Sequence, residues 1–393
     1  MNGAHTRWLL VWALIFAGIV AAFQIGKAPI AIPLIRQELG LSLTFAAWII
    51  GVYAMVGALA GLPAGAAINF IGARRCVTIG LLVIGAASCS GAFVTTGTAL
   101  LVTRVLEGAG FLMVAVATPI LLGLVTAAKD RDVVFGCWAV YFAAGSVIVM
   151  LAGPLLAVFG WRSLWFSTGL LALAYALVVW WIAPAPPAAA PASGQGLGDI
   201  RRIIRMPGPI LLALAFGFYS IQYHALTGLL PTLLVERLGL TLASAGLISA
   251  IAIIANGIGG VSAGFMLRRG FRLWALFAAA FAFMAAAAFG IFGASMTVAG
   301  VAVLATASLG ITGMLPASIY AAAPRFAPQP ALLALTVGIV VQASHLGHVV
   351  GPSMLGAWVE RLGWSSSPAL FAAIGCGGLA VALGIRRLTR SHA

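Results

Sequence analysis

Carboxylates are scarce in this chain. Seven Asp and Glu stand among 393 residues, and all charged residues together reach 7%, against roughly 25% in a soluble domain. So thin a polar complement excludes an ordinary solvated globule. The four cysteines (Cys76, Cys89, Cys137, Cys376) show no CxxC spacing, which speaks against a disulfide framework and leaves them as small packing residues. There is no P-loop, no HExxH and no GxSxG placed on a strand-to-helix turn. Nothing therefore marks an enzyme or a resident cofactor.

What the chain has in abundance is apolar length. It is 63% hydrophobic, in runs that exceed the ~20 residues a bilayer demands. In lipid such runs must be helices, which satisfy their own backbone. The reading is an all-α polytopic membrane protein with twelve spans. Six, at 8–35, 44–68, 76–95, 98–127, 133–159 and 164–183, precede a Pro- and Gly-containing stretch at 184–207. Six follow, at 208–235, 242–266, 273–293, 296–322, 331–358 and 368–385. The stretch reads as a linker, giving domains 1–183 and 208–393. The first span runs on too long for a signal peptide.

The formal charge of +14 would suggest nucleic acid in a soluble domain; here it predicts anchored loops and no nucleic-acid partner. Fifteen Lys and Arg fall on the side of both termini, and four (Arg36, Arg162, Arg237, Arg361) on the other. The positive-inside rule then puts both termini in the cytoplasm of a plasma, or inner, membrane.

The halves repeat. At a shift of 198 residues Gln24 falls on Gln222, Ser146 on Ser344, and Gly153-Pro154 on Gly351-Pro352. At 199, Leu39-Gly40-Leu41-Ser42-Leu43 falls on Leu238-Gly239-Leu240-Thr241-Leu242. Two parallel six-helix repeats in one chain are a transporter architecture.

The joint between spans two and three, Gly65-Ala-Ala-Ile-Asn69-Phe70-Ile-Gly72-Ala73-Arg74-Arg75, resembles the loop signature of the major facilitator superfamily, G-x-x-x-D-R-x-G-R-R. Asn69 replaces the acid and Phe70 the first base, so the charge lock that acid supplies in the family has no counterpart here. Arg104 and Gly108 in span four look like the superfamily's R-x-x-x-G motif, and Gly145 with Gly153-Pro154 partly resembles its antiporter motif. Gln222-Tyr223-His224 and Leu229-Leu230-Pro231 are similar to the seventh helix of the cyanate and nitroimidazole branch. The resemblance implies two pseudo-symmetric six-helix bundles, alternating access, and a cavity faced by spans 1, 2, 4, 5, 7, 8, 10 and 11.

Ionisable groups inside a membrane are expensive and usually mark a pathway. Here they are Lys27, Arg104, Glu107, His224, His345 and His348. Arg104 and Glu107, three apart, share a helix face, either as a structural ion pair or as a proton site. If they neutralise each other, Lys27 leaves the cavity positive and an anionic solute would complete it. Alternatively, Pro29 and Pro33 end the first helix early and Lys27 snorkels to the interface.

Gln24 and Gln222 are expected to meet across the two-fold axis and hydrogen-bond a small polar solute from both halves, with Tyr53, Tyr219 and Asn256 beside them. His224 lies about 200° round the helix from Gln222 and ranks below it. Gln342, His345 and His348 recur every third residue, a stripe suited to protons or an anion; no Cys or carboxylate neighbours it to suggest a metal.

The expected substrate site is thus Gln24, Lys27, Tyr53, Arg104, Tyr219, Gln222, Asn256, Gln342 and His345. Glu107, His345 and His348 are the expected proton carriers. Gly65, Asn69, Gly72, Arg74 and Arg75 form the conformational loop. Import of an anion against an inside-negative potential is opposed by ~2.3 kcal/mol per 100 mV, a term that co-transport of a proton cancels. The function expected is a proton-coupled secondary transporter of a small anionic or polar solute, working as a monomer. The rival readings are a proton-driven efflux antiporter and, from another class, a channel or enzyme. An exporter of cationic drugs would call for an aromatic, acid-lined cavity.

Overall fold

Long apolar runs punctuated by glycine and proline build an all-helical molecule. The computed structural model describes residues 5–60, 71–184, 201, 203–293, 295–329 and 332–390. Gly65 and Asn69 of the loop signature, and most of the 184–207 stretch, lie outside the described residues. The helical segments are α1 (Trp8–Leu39), α2 (Leu43–Ala60), α3 (Ala73–Gly91), α4 (Gly97–Val125), α5 (Val133–Met150) and α6 (Gly153–Ile182). They continue as α7 (Pro207–Arg237), α8 (Leu242–Arg268), α9 (Leu273–Ile291), α10 (Val298–Phe326), α11 (Leu333–Leu362) and α12 (Ser367–Arg390). Among the described residues eleven helices are long and apolar enough to cross a membrane; α11 is 30 residues long.

The backbone carries the repeat more plainly than the side chains do. Among the described residues, positive φ occurs at six glycines: Gly40, Gly72 and Gly160, then Gly239, Gly270 and Gly363. They pair at separations of 199, 198 and 203 residues. A left-handed residue is the ordinary way to leave a helix, and glycine takes it without a Cβ clash. Gly40 closes α1 at φ 63°. Gly160 breaks α6 at φ 73°, so the chain turns there, where the sequence placed the boundary between spans five and six. Pro29 and Pro33 do not end α1. The helix runs through both to Leu39.

The chain divides into two compact units. Unit 1 is Met1–Leu41, Val52–Gly194 and Leu242–Gly246; unit 2 is Ser42–Gly51, Gln195–Thr241 and Leu247–Ala393. In unit 1, α3 packs against α4 and α6 while α1 packs against α5. Close approach depends on glycine: a Cβ on Gly26 would sit 2.7 Å from the Ser146 carbonyl oxygen, and one on Gly108 would overlap the Tyr53 carbonyl. Glu38, at the end of α1, accepts from Trp161 Nε1 at 2.6 Å and from Arg162 Nε at 2.8 Å, tying that end to α6. In unit 2, α7 packs along α11 and α9 against α12. The Thr44 N–H, at the start of α2, donates to Glu360 at the end of α11 at 2.9 Å. Large apolar side chains such as Trp181 and Val158 stay exposed, the surface that lipid rather than water would cover.

Candidate functional site

In unit 1 three ionisable groups meet in a site closed to solvent. Lys27 and Glu107 are wholly buried and Arg104 is 1% exposed. The Lys27 ammonium donates to Glu107 Oε1 at 2.8 Å and to the Ser88 hydroxyl on α3 at 2.6 Å, and lies 4.4 Å over the Trp165 ring of α6. Ser88 passes the bond on to the Trp165 carbonyl at 2.8 Å. Arg104 pairs with the other Glu107 oxygen, donates to the Gln24 carbonyl at 2.7 Å, and stacks 4.6 Å over Tyr53. A buried charge is tolerable when its hydrogen bonds are filled and a counter-ion is present, and aromatic faces add attraction. This cluster has all three.

That corrects the expectation of a lone ammonium awaiting an electron-rich solute. Lys27 neither snorkels nor stands unpaired. Besides Glu107 of α4, its partners come from α3 and α6, which are not among the cavity-facing spans the family resemblance implies. One carboxylate serves two cations, so the expected Arg104–Glu107 pair is a triad.

The repeat-related glutamines are both buried. Neither amide atom of Gln24 has a hydrogen-bond partner. Gln222 donates to the Phe371 carbonyl of α12 at 3.1 Å, and its Oε1 has no partner.

In unit 2 the polar groups string along α7 and α11 among aromatic rings. Phe216, Tyr219 and Tyr223 lie one turn apart on α7; Tyr219 is 5.9 Å from Phe216 and stacks on Tyr223 at 5.4 Å. Tyr320 of α10 meets Phe216 edge-on at 5.7 Å. Tyr219 donates to Asn256 at 3.2 Å, and Asn256 donates to the Leu309 carbonyl at 2.8 Å, so these two predicted residues do come together. His224 and His348 stack with centroids 3.7 Å apart and planes within 8°. Ser220 bonds His224 Nδ1 at 3.0 Å and donates to the Ser344 carbonyl at 2.6 Å. His345 and Gln342 are half-buried on α11 and take no part in that stack. The sequence ranked Gln222 above His224; the geometry puts His224 at the centre of the polar string.

Sequence reasoning missed the partners. Ser88 and Trp165 carried no signal, because neither spacing nor charge distinguishes them. The aromatic groups were legible. Trp138 and Tyr141, three apart on α5, stack at 4.0 Å; Phe111 packs against Tyr53 at 5.4 Å and against Tyr141 and Phe142 at 6.3 Å each. Both this set and the α7 stripe follow helical spacing. In the loop signature, Arg74 lies 4.6 Å over Trp180, while Gly72 holds φ 86° just before α3. Among the described residues no three His, Cys, Asp or Glu gather as a metal set.

Comparison with known proteins fixes the family. A methyl viologen resistance protein of Salmonella typhimurium, SmvA, is 32% identical over 161 residues, which is 40% of this chain and 32% of that protein. A puromycin resistance protein of Streptomyces alboniger is 28% identical over 158 residues, 40% of this chain and 31% of that protein. A multidrug efflux pump of Mycolicibacterium smegmatis, LfrA, is 28% identical over 156 residues, 39% and 31% of the two chains. The match thus spans about a third of the length of these relatives. In fold, the chain is similar to a bacterial homolog of the human lysosomal transporter Spinster, solved in an inward-facing, occupied conformation. The TM-score is 0.77 at 15% identity, over 97% of this chain and 95% of that one. The same protein in its unoccupied form gives 0.74, also at 15% identity, over 96% and 94%. The family model of the Major Facilitator Superfamily matches residues 14–352, and the chain belongs to that superfamily of membrane transporters.

Proposed function

We propose that this transporter is a proton-driven exporter of apolar, aromatic-binding small molecules rather than an importer of small anions. The observation that carries the reading is the pair of aromatic groups: Phe216, Tyr219 and Tyr223 on α7, and Phe111, Trp138 and Tyr141 on α4 and α5. Ring faces bind planar and cationic organic solutes without a formal charge. Lys27 and Arg104 share Glu107 and lie over ring faces, so both cations are engaged inside unit 1, with one positive charge in excess. The printed names of the relatives, all resistance or efflux proteins, support the same direction. The narrower likeness to the cyanate and nitroimidazole branch gains nothing from Gln222, which is occupied by the Phe371 carbonyl.

Glu107 is the proposed proton carrier. Export of a cation against an inside-negative potential is opposed by ~2.3 kcal/mol per 100 mV, and exchange for an incoming proton cancels that term. Protonating Glu107 would leave Lys27 and Arg104 facing each other with no anion between them. Proton entry is therefore tied to a rearrangement of the triad, which is what coupling requires. In this reading both termini face the cytoplasm, as the basic loops suggest, and the halves 1–183 and 208–393 are joined by 184–207.

The test is expression in a drug-sensitive host and reconstitution in vesicles. Raised resistance to methyl viologen or puromycin is expected, abolished by a protonophore and by Glu107→Gln. Uptake of a small labelled anion driven by a pH gradient, with drug sensitivity unchanged, would restore the importer reading.

A further inference from the structure

Unit 2 holds a cavity of about 1330 Å³ at the end of its helices that carries Arg390. It is walled by the start of α7, the α8–α9 turn, the end of α10 and the end of α12. Four arginines from three stretches line it: Arg268 and Arg272 from the α8–α9 turn, Arg325 from α10 and Arg390 from α12. All four are exposed, and among the described residues no Asp or Glu stands in the wall. Beyond Pro207 the sequence has two acids, Glu236 and Glu360, both near the C-terminal ends of their helices, while Asp199 lies outside the described residues. The remaining wall is apolar and aromatic, with Phe271, Trp274 and Phe326.

Two polar groups there are unsatisfied. Ser318 of α10 lines the cavity, is fully buried, and its hydroxyl has no partner. Arg386 lies 4.6 Å over the Trp274 ring, with its Nε buried and unpartnered. Arginines on a solvated helix rim would be unremarkable. Guanidiniums gathered on one concavity without a carboxylate repel each other, and an unfilled buried donor costs free energy. The same end of unit 1 differs in sequence, for Asp130 and Asp132 stand among its bases.

From this geometry we infer that the cavity is a binding site for a phosphate-bearing amphiphile, with the arginines taking the phosphate and the aromatic wall the apolar body. Guanidinium groups match phosphate oxygens in pairs. Basic pockets between membrane helices bind anionic lipid headgroups in the same way. The site makes no use of the Lys27 triad or the aromatic stripes and stands apart from the transport reading.

The test uses the purified full chain in neutral detergent, with retained lipid counted by native mass spectrometry and thermal unfolding followed in parallel. Phosphatidylglycerol is expected to be retained and to raise the midpoint, whereas phosphatidylcholine is not. Each arginine removed should weaken retention about fivefold, so Arg268→Gln with Arg272→Gln and Arg325→Gln loses about a hundredfold. Lys129→Gln with Arg131→Gln, in unit 1, should lose nothing comparable. Inorganic phosphate alone giving the full thermal shift supports the site with a soluble phosphate as occupant. Undiminished phosphatidylglycerol retention by the triple variant, or equal protection by phosphatidylcholine, overturns the inference. Should the triple variant fail to fold, Arg325→Gln and Arg390→Gln alone carry the test at about fivefold each.

Discussion

The two units hold their polar groups in opposite ways. Unit 1 concentrates formal charge: Lys27, Arg104 and Glu107 lock α1 to α4, and through Ser88 and Trp165 to α3 and α6. Among the described residues of unit 2 no Lys, Arg, Asp or Glu is buried. The position of Lys27 shifted by 198 is Ala225, and the polar string there is made of hydroxyls, an amide and stacked imidazoles. Charge inside a bundle ties helices together strongly but only while every partner stays. Neutral rings and hydroxyls hold loosely and leave faces on which an apolar solute can lie. On the proposed function, proton handling would fall to unit 1 and much of the solute contact to unit 2.

The sharpest way to break that contrast is to remove the shared carboxylate. Glu107→Leu leaves two buried cations without a counter-ion, and a loss of about 3–5 kcal/mol is expected. It would be read as a large fall in the thermal unfolding midpoint together with loss of coupled transport. A variant as stable as the parent would mean that the triad is not closed to water. Next comes the backbone approach on which the triad depends. Gly108→Ala drives a Cβ into the Tyr53 carbonyl, a cost of about 1–3 kcal/mol; unaltered stability would show that α2 and α4 can part freely.

Unit 2 should respond more mildly. His348→Ala removes the ring stacked on His224, with an expected loss of about 0.5–1.5 kcal/mol. His348→Phe keeps the stack and should recover most of it. Equal losses in the two variants would show that a hydrogen bond, rather than stacking, holds the ring. Smallest and opposite in sign is Gln24→Leu. Its amide is buried without a partner, so an apolar side chain of similar volume should be neutral or stabilise by about 1 kcal/mol. The repeat-related Gln222→Leu should instead destabilise, because the Phe371 carbonyl loses its donor. Urea or thermal titration of the two would separate them, and like signs would erase the distinction.

The Gln pair shows where sequence reading stops. Offset and residue type placed Gln24 and Gln222 in register, and the paired positive-φ glycines bear out that register in the backbone. Which way the amides turn was not legible, because helix periodicity gives faces relative to one another and not relative to the neighbouring bundle. Lys27 was legible as a costly residue but not as a satisfied one. Its partners Ser88 and Glu107 lie 61 and 80 residues away on other helices. The aromatic stripe on α7 stands at spacings of three and four residues; Tyr219 is legible there as a polar site candidate, whereas Phe216 in an apolar helix looks like ordinary core.

The sequence by itself determined a membrane-spanning, all-helical transporter built as a repeat, since hydropathy, charge placement and turn-forming glycines act locally along the chain. Only the tertiary structure decided that the lone-looking lysine is one corner of a triad, that the repeated glutamines are buried, and that four arginines line one cavity with no acid among the described residues of its wall. Those outcomes depend on which distant helices meet. A buried charge or amide takes the partner that packing brings within about 3 Å, and a sequence does not state which one that will be.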